Sequence, residues 1–189
     1  MRQYGLKVCL TVAFAALSVG PALAQEYKAR LNGFNELGAL NAETGAILTN
    51  GTGKLTLDVN PNSASYSLTY SGLTSPVLQA HLHFGKVHVP GGIYAFLCTT
   101  STITTAPPGT PTCPNPSGTV TGTITPASIL AVAGQNITAG DFTALLRALS
   151  SNSTYVNVHT MNFKAGEIRG QVQLVHNEDE DEGGDQNRQ

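Results

Sequence analysis

The sequence predicts an all-β domain, an antiparallel β-sandwich or barrel with one short connecting helix. Three observations lead there: apolar residues alternate with polar ones along several runs, turn residues separate those runs, and helical spacing of apolar residues occurs once after residue 24. A first strand is expected over residues 26–31. In KLTLDV, Leu55, Leu57 and Val59 face one way while Lys54, Thr56 and Asp58 face the other. After the turn residues NPNS, SYSLTY repeats the pattern with Tyr66, Leu68 and Tyr70, which makes a hairpin with one wet face. Further strands are expected over 77–84, 93–97 and 118–124. ITAGDFTALLRALSS then places Phe142, Leu145, Leu146 and Leu149 at helical spacing, with Thr138 or Asp141 available near the start. Such a helix packs over one end of the domain and is no cofactor groove. Strands over 154–160 and 167–175 complete a set of about eight, the range expected of a sandwich or barrel.

The two ends differ from this body. Arg2 and Lys7 precede an apolar run over residues 8–19, and Pro21, Ala22, Leu23 and Ala24 end in an A-x-A pattern, as in a secretory signal peptide. Spanning a bilayer takes roughly 20 apolar residues, more than this run supplies. Residues 1–24 are therefore expected to leave as a signal peptide, taking Cys9 with them, and 25–176 to form the domain. Residues 177–189, NEDEDEGGDQNRQ, hold one Arg and six acids for a charge of −5, while 25–176 hold seven Lys/Arg and six Asp/Glu for +1. The tail has no apolar residue to bury and is expected to be a solvated, disordered segment. The body has no basic patch of the kind that binds nucleic acid. Export to the periplasm or beyond favours a disulfide between the two remaining cysteines, Cys98 and Cys113. The segment between them, TTSTITTAPPGTPT, is polar and Pro-rich, so the bridge is expected to staple a surface loop.

QAHLHFGKVHVPGG, residues 79–92, holds three of the five histidines in the chain. On a strand His81 and His83 share one face, and Ala80, Leu82 and Phe84 share the other, which should take the core. Two residues of strand rise separate the imidazoles by about 6.6 Å, close enough for both rings to reach one ion at about 2.0 Å. TYVNVHT puts Val156 and Val158 on its core face, so Tyr155, Asn157 and His159 point away from it. In GEIRGQVQL, Ile168, Val172 and Leu174 are expected inward and Glu167, Arg169, Gln171 and Gln173 outward. If the two strands lie beside 77–84, His81, His83 and His159 converge on one outer wall, with loop residue His88 a fourth candidate ligand. Glu167, Arg169 and Asn157 are the candidates to orient them. Three or four imidazoles suit one copper or zinc ion, whereas calcium and magnesium prefer oxygen. For any single histidine the simpler reading is a solvent-facing polar residue.

The ordered series QAHLHFG, GGIYAFLC, PTCP, AGDFTALLRAL, YVNVHT and GEIRGQV resembles the CHRD domain, known from chordin and from exported bacterial proteins. The resemblance covers nearly all of residues 26–174 and implies an immunoglobulin-like β-sandwich or barrel with a limited, superoxide-dismutase-like character. Copper/zinc superoxide dismutases present H-x-H on a strand and a late V-H to copper, which His81, His83 and Val158-His159 match in order. They also need further zinc histidines and a zinc aspartate. Here His88 is the one histidine left in that region and no Asp lies between Asp58 and Asp141, so the binuclear site is incomplete.

The expected function is an exported binding module that holds one copper or zinc ion through surface histidines. Two alternatives stand beside it: a metal-free interaction domain facing an extracellular or envelope protein, and a mononuclear copper redox enzyme. Serines are plentiful, but none sits in a G-x-S-x-G elbow, so hydrolysis is not favoured.

Overall fold

The β2–β3 hairpin carries the alternation most clearly. β2 (Thr52–Asn60) and β3 (Ser63–Ser71) pair in register from Thr52↔Ser71 to Asn60↔Ser63, and Leu55, Leu57, Val59, Tyr66, Leu68 and Tyr70 are all buried. The same two-residue period buries Tyr27, Ala29 and Leu31 of β1 (Gln25–Asn32). The structure, a computed structural model, describes residues 24–37 and 45–175. Residues 1–23 of the expected signal segment, Cys9 among them, together with His176 and the acidic tail, lie outside the described residues.

The remaining strands are β4 (Val77–Phe84), β5 (Gly92–Thr99), β6 (Gly118–Ile124), β7 (Thr154–Thr160), β8 (Ile168–Gln171) and β9 (Gln173–Leu174). They form one antiparallel sheet in the order β5-β4-β7-β8-β1-β2-β3-β6, with β9 pairing β1, and the sheet curls until it is nearly closed into a barrel. The predicted all-β class therefore holds. The seam between the edge strands is stitched by other means than a full ladder. The Tyr66 hydroxyl donates to Leu97 O at 2.6 Å, Leu130 N–H donates to Tyr94 O at 2.9 Å, and the Cys98–Cys113 disulfide ties β5 to the segment before β6. Both cysteines belong to the core cluster, so the bridge itself is buried, while the 99–112 loop that it closes lies at the surface as expected.

The one helix, α1 (Phe142–Ser150), starts at Asp141, whose carboxylate accepts from Ala144 N–H at 3.0 Å. Phe142, Leu145, Ala148 and Leu149 are buried, and Leu146 packs against the core only in part. Among the described residues no helix is long and apolar enough to cross a membrane.

The last strand corrects the expectation for 167–175. It breaks at Val172, whose N–H turns to Thr154 O at 2.9 Å; β8 pairs with β7, and β9 pairs with β1. Leu174, expected inward, is 39% exposed. Glu167 and Arg169, expected to face solvent, are 0% and 2% exposed. That second correction has one cause, a layer of loops lying on the outer face of β4, β7 and β8.

Candidate metal centre

β4 and β7 pair antiparallel, with Gln79↔His159, His81↔Asn157 and His83↔Tyr155. The two-residue period then sends His81, His83, Tyr155, Asn157 and His159 to one side of the sheet and Ala80, Leu82, Val156 and Val158 to the core. The predicted convergence is present: one nitrogen from each of His81, His83 and His159 lies within 4.8 Å of the others. The outer wall, however, is not a wet surface. His81, His83 and His159 are 0%, 7% and 6% exposed, and every residue of β7 is buried.

Three segments make the cover. Residues 85–91 form a strap across His83. Arg169 Nη2 donates to Lys86 O and to Val89 O, both at 3.0 Å, Gln171 Nε2 donates to Gly85 O at 3.1 Å, and Gly91 N–H donates to the Tyr155 hydroxyl at 3.2 Å. Residues 161–167 close over His159, and 33–37 bring buried Glu36 to Asn157. Aromatic contacts fill the rest. Tyr155 stacks on His83 with centroids 4.6 Å apart and planes 6° apart, Arg169 Cζ sits 3.4 Å over the other face of Tyr155, and Phe96 meets His81 edge-on at 4.4 Å.

Hydrogen bonds fix the tautomers. His159 Nδ1 is 2.8 Å from Lys164 O and His83 Nδ1 is 2.9 Å from Gly91 O. A carbonyl only accepts, so both Nδ1 atoms carry the hydrogen and both Nε2 atoms keep a lone pair while the rings are neutral. Neutral rings are what burial favours. It pulls His83 down to about 4 against the pull of the Gly91 carbonyl, and pulls His81 down to about 2, with its neighbours His159 and His83 adding to the effect. It also lowers His159, opposed by the Lys164 carbonyl. His81 Nδ1 lies 3.1 Å from His159 Nε2. Two donors of one ion, each about 2.0–2.1 Å away and subtending about 90–110°, stand roughly 2.9–3.4 Å apart, so this pair is spaced as two ligands would be. His81 Nε2 and His83 Nε2 are buried with no hydrogen-bond partner. Buried nitrogens without a partner are rare in native proteins, and a cation held by His83 Nε2, His159 Nε2 and one nitrogen of His81 would satisfy the His83 lone pair. The three residues could therefore hold one metal ion, with the imidazole donors that copper and zinc accept.

The other sequence candidates divide. His88 is exposed in the strap at φ 56°, outside the cluster of three. Glu167 accepts from Thr49 Oγ1, Thr74 N–H, Thr74 Oγ1 and Thr160 Oγ1 at 2.7–3.0 Å, so it anchors the residue after His159 and touches no imidazole. Arg169 holds the strap and stacks on Tyr155. Asn157 Oδ1 lies 2.9 Å from His159 Nε2. Sequence reasoning missed Glu36, Phe96 and Gly91 as parts of the site. Glu36 lies 121 residues from Asn157 in a segment without periodicity, and nothing in its neighbourhood announces it.

Compared with protein families, the chain matches the CHRD domain over residues 27–172. The chain belongs to the CHRD-domain family. That match runs from Tyr27 in β1 through the whole of β8, leaves β9 outside, and includes His81, His83 and His159. Comparison with curated proteins and with solved structures gave no significant match. As a CHRD-domain protein the chain has the character of a binding module, with a buried disulfide and a histidine triad able to hold a metal ion.

Proposed function

We propose that this CHRD-domain protein is an exported module that holds one transition-metal ion, copper or zinc, at His81, His83 and His159. The observation that carries the reading is the buried His83 Nε2 lone pair that has no hydrogen-bond partner, beside a His81 Nδ1–His159 Nε2 pair 3.1 Å apart, with one nitrogen from each of the three rings within 4.8 Å of the others. A triad kept only for hydrogen bonding would leave that lone pair costing roughly 1–3 kcal/mol. Export is supported by the sequence of residues 1–24 and by the disulfide, which persists in oxidising compartments. Imidazole donors suit zinc and copper, and a site buried this deeply serves retention or delivery of the ion.

Calorimetry with copper and with zinc on the disulfide-bonded protein tests this. The expected result is one tight equivalent, kept when residues 177–189 are deleted and lost in the His81→Ala/His83→Ala double variant. Loss on deleting the tail alone would assign the binding to diffuse acidic charge. No tight equivalent in the intact protein would sink the metal reading and leave a metal-free interaction domain.

A further inference from the structure

Asn157 sits where a fourth ligand would sit. Its Oδ1 is 2.9 Å from His159 Nε2, and its β-strand position is directly opposite His81. The contact is not an ordinary hydrogen bond. His159 gives its only hydrogen to Lys164 O through Nδ1, so the lone pair on Nε2 faces the lone pairs of an amide oxygen. His81 Nδ1–H can satisfy His159 Nε2, but it leaves Asn157 Oδ1 without a donor.

Turning the amide over would relieve this contact and create another. Asn157 Nδ2 donates to Glu36 Oε2 at 3.4 Å, and a reversed amide would press its oxygen against that carboxylate. Glu36 is itself fixed: Leu37 N–H donates to its Oε1 at 3.0 Å, and Gly166 packs so closely that a Cβ there would lie 2.2 Å from its Oε2. Arg169 adds a positive charge nearby. A carboxylate held in this way keeps the NH2 of Asn157 turned toward itself and the oxygen turned toward the histidines.

We infer that Asn157 Oδ1 is the fourth donor of the ion, completing a three-imidazole, one-amide site, and that Glu36 is the positioning residue that aims it. The inference rests on the metal reading above. An oxygen donor beside three imidazoles suits a divalent ion such as zinc, cobalt or copper(II), because copper(I) selects softer ligands. The separation of Oδ1 from His159 Nε2 falls in the range expected of two ligands of one ion.

Zinc and cobalt(II) titrations of the disulfide-bonded wild type, Asn157→Ala, Asn157→Asp and Glu36→Gln provide the test. Asn157→Ala is expected to weaken zinc binding at least tenfold and to change the cobalt(II) visible spectrum. Asn157→Asp, which keeps an oxygen, is expected to lose less, and Glu36→Gln to fall between wild type and Asn157→Ala. Should Asn157→Ala fail to fold, the side-chain 13Cγ and 15Nδ2 resonances of Asn157 in the wild type report the same contact, and both are expected to shift on adding one equivalent of zinc. Wild-type affinity and an unchanged cobalt spectrum in Asn157→Ala, or unmoved Asn157 resonances, would overturn the fourth donor while leaving the histidine site standing. Absence of tight zinc and cobalt binding in the wild type would overturn both.

Discussion

Each imidazole of the triad has lost its water, and in the metal-free protein that loss is readable as a pH dependence. The unfolded chain protonates His81 and His83 below about pH 6.5. The folded chain holds His83 neutral down to about 4 and His81 down to about 2, chiefly through burial. Between those values the unfolded state binds more protons, so these residues contribute stability that is full above about pH 6.5 and is lost as the pH falls. For His83 the loss at pH 5 is on the order of 2 kcal/mol. Glu36, raised by burial, works in the opposite direction over part of the range. Urea midpoints of apo wild type and apo His83→Asn at pH 7.5 and pH 5 separate the two: the fall in midpoint is expected to be smaller in the variant. Equal falls would mean that His83 takes up its proton in the folded state as readily as in the unfolded one.

Strand period and strand pairing made the triad legible: H-x-H in 81–83 and N-x-H in 157–159 fix a common face whatever lies above it. What lies above it was not legible, because the covering segments 33–37, 85–91 and 161–167 have neither alternation nor helical spacing. An outward residue was thus expected to be wet, and the reversal at Glu167 and Arg169 follows from long-range contacts that no local pattern encodes. Asp141 at the start of α1 is the opposite case, since a capping carboxylate acts on the backbone three residues away and can be read locally. The strap depends on Gly91 in a way the sequence also leaves unmarked. A Cβ on Gly91 would lie 1.8 Å from Phe84 O, so Gly91→Ala must push the strap off His83 and Tyr155. The expected cost is about 1–3 kcal/mol by urea unfolding. The His83 resonance should also titrate closer to the ordinary histidine range. An unchanged midpoint together with an unchanged His83 titration would show that the strap shifts without loosening its hold.

At the scale of the whole molecule, the barrel is closed on one side by a bridge and a few hydrogen bonds. Cys98 and Cys113 are 15 residues apart, and closing a loop of that length contributes about 3 kcal/mol in the chain-entropy description. A Cys98→Ser/Cys113→Ser variant is expected to lose roughly that amount of stability by urea unfolding, with the triad still assembled, because the β4–β7 and β7–β8 ladders that carry it do not run across the seam between β5 and β6. If the variant kept the wild-type midpoint, Tyr66 and the 126–137 segment would be sufficient to hold the seam. The stack of Arg169 on Tyr155 on His83 has a different consequence, one of time. On the strap side, an ion held by the three imidazoles would leave only after a guanidinium, a phenol ring and two strap carbonyls had parted together. The lifetime of the occupant is then set by how often the protein breathes, and a slow clock of that kind distinguishes a carrier, which must not spill its load in transit, from a buffer that trades freely with its surroundings.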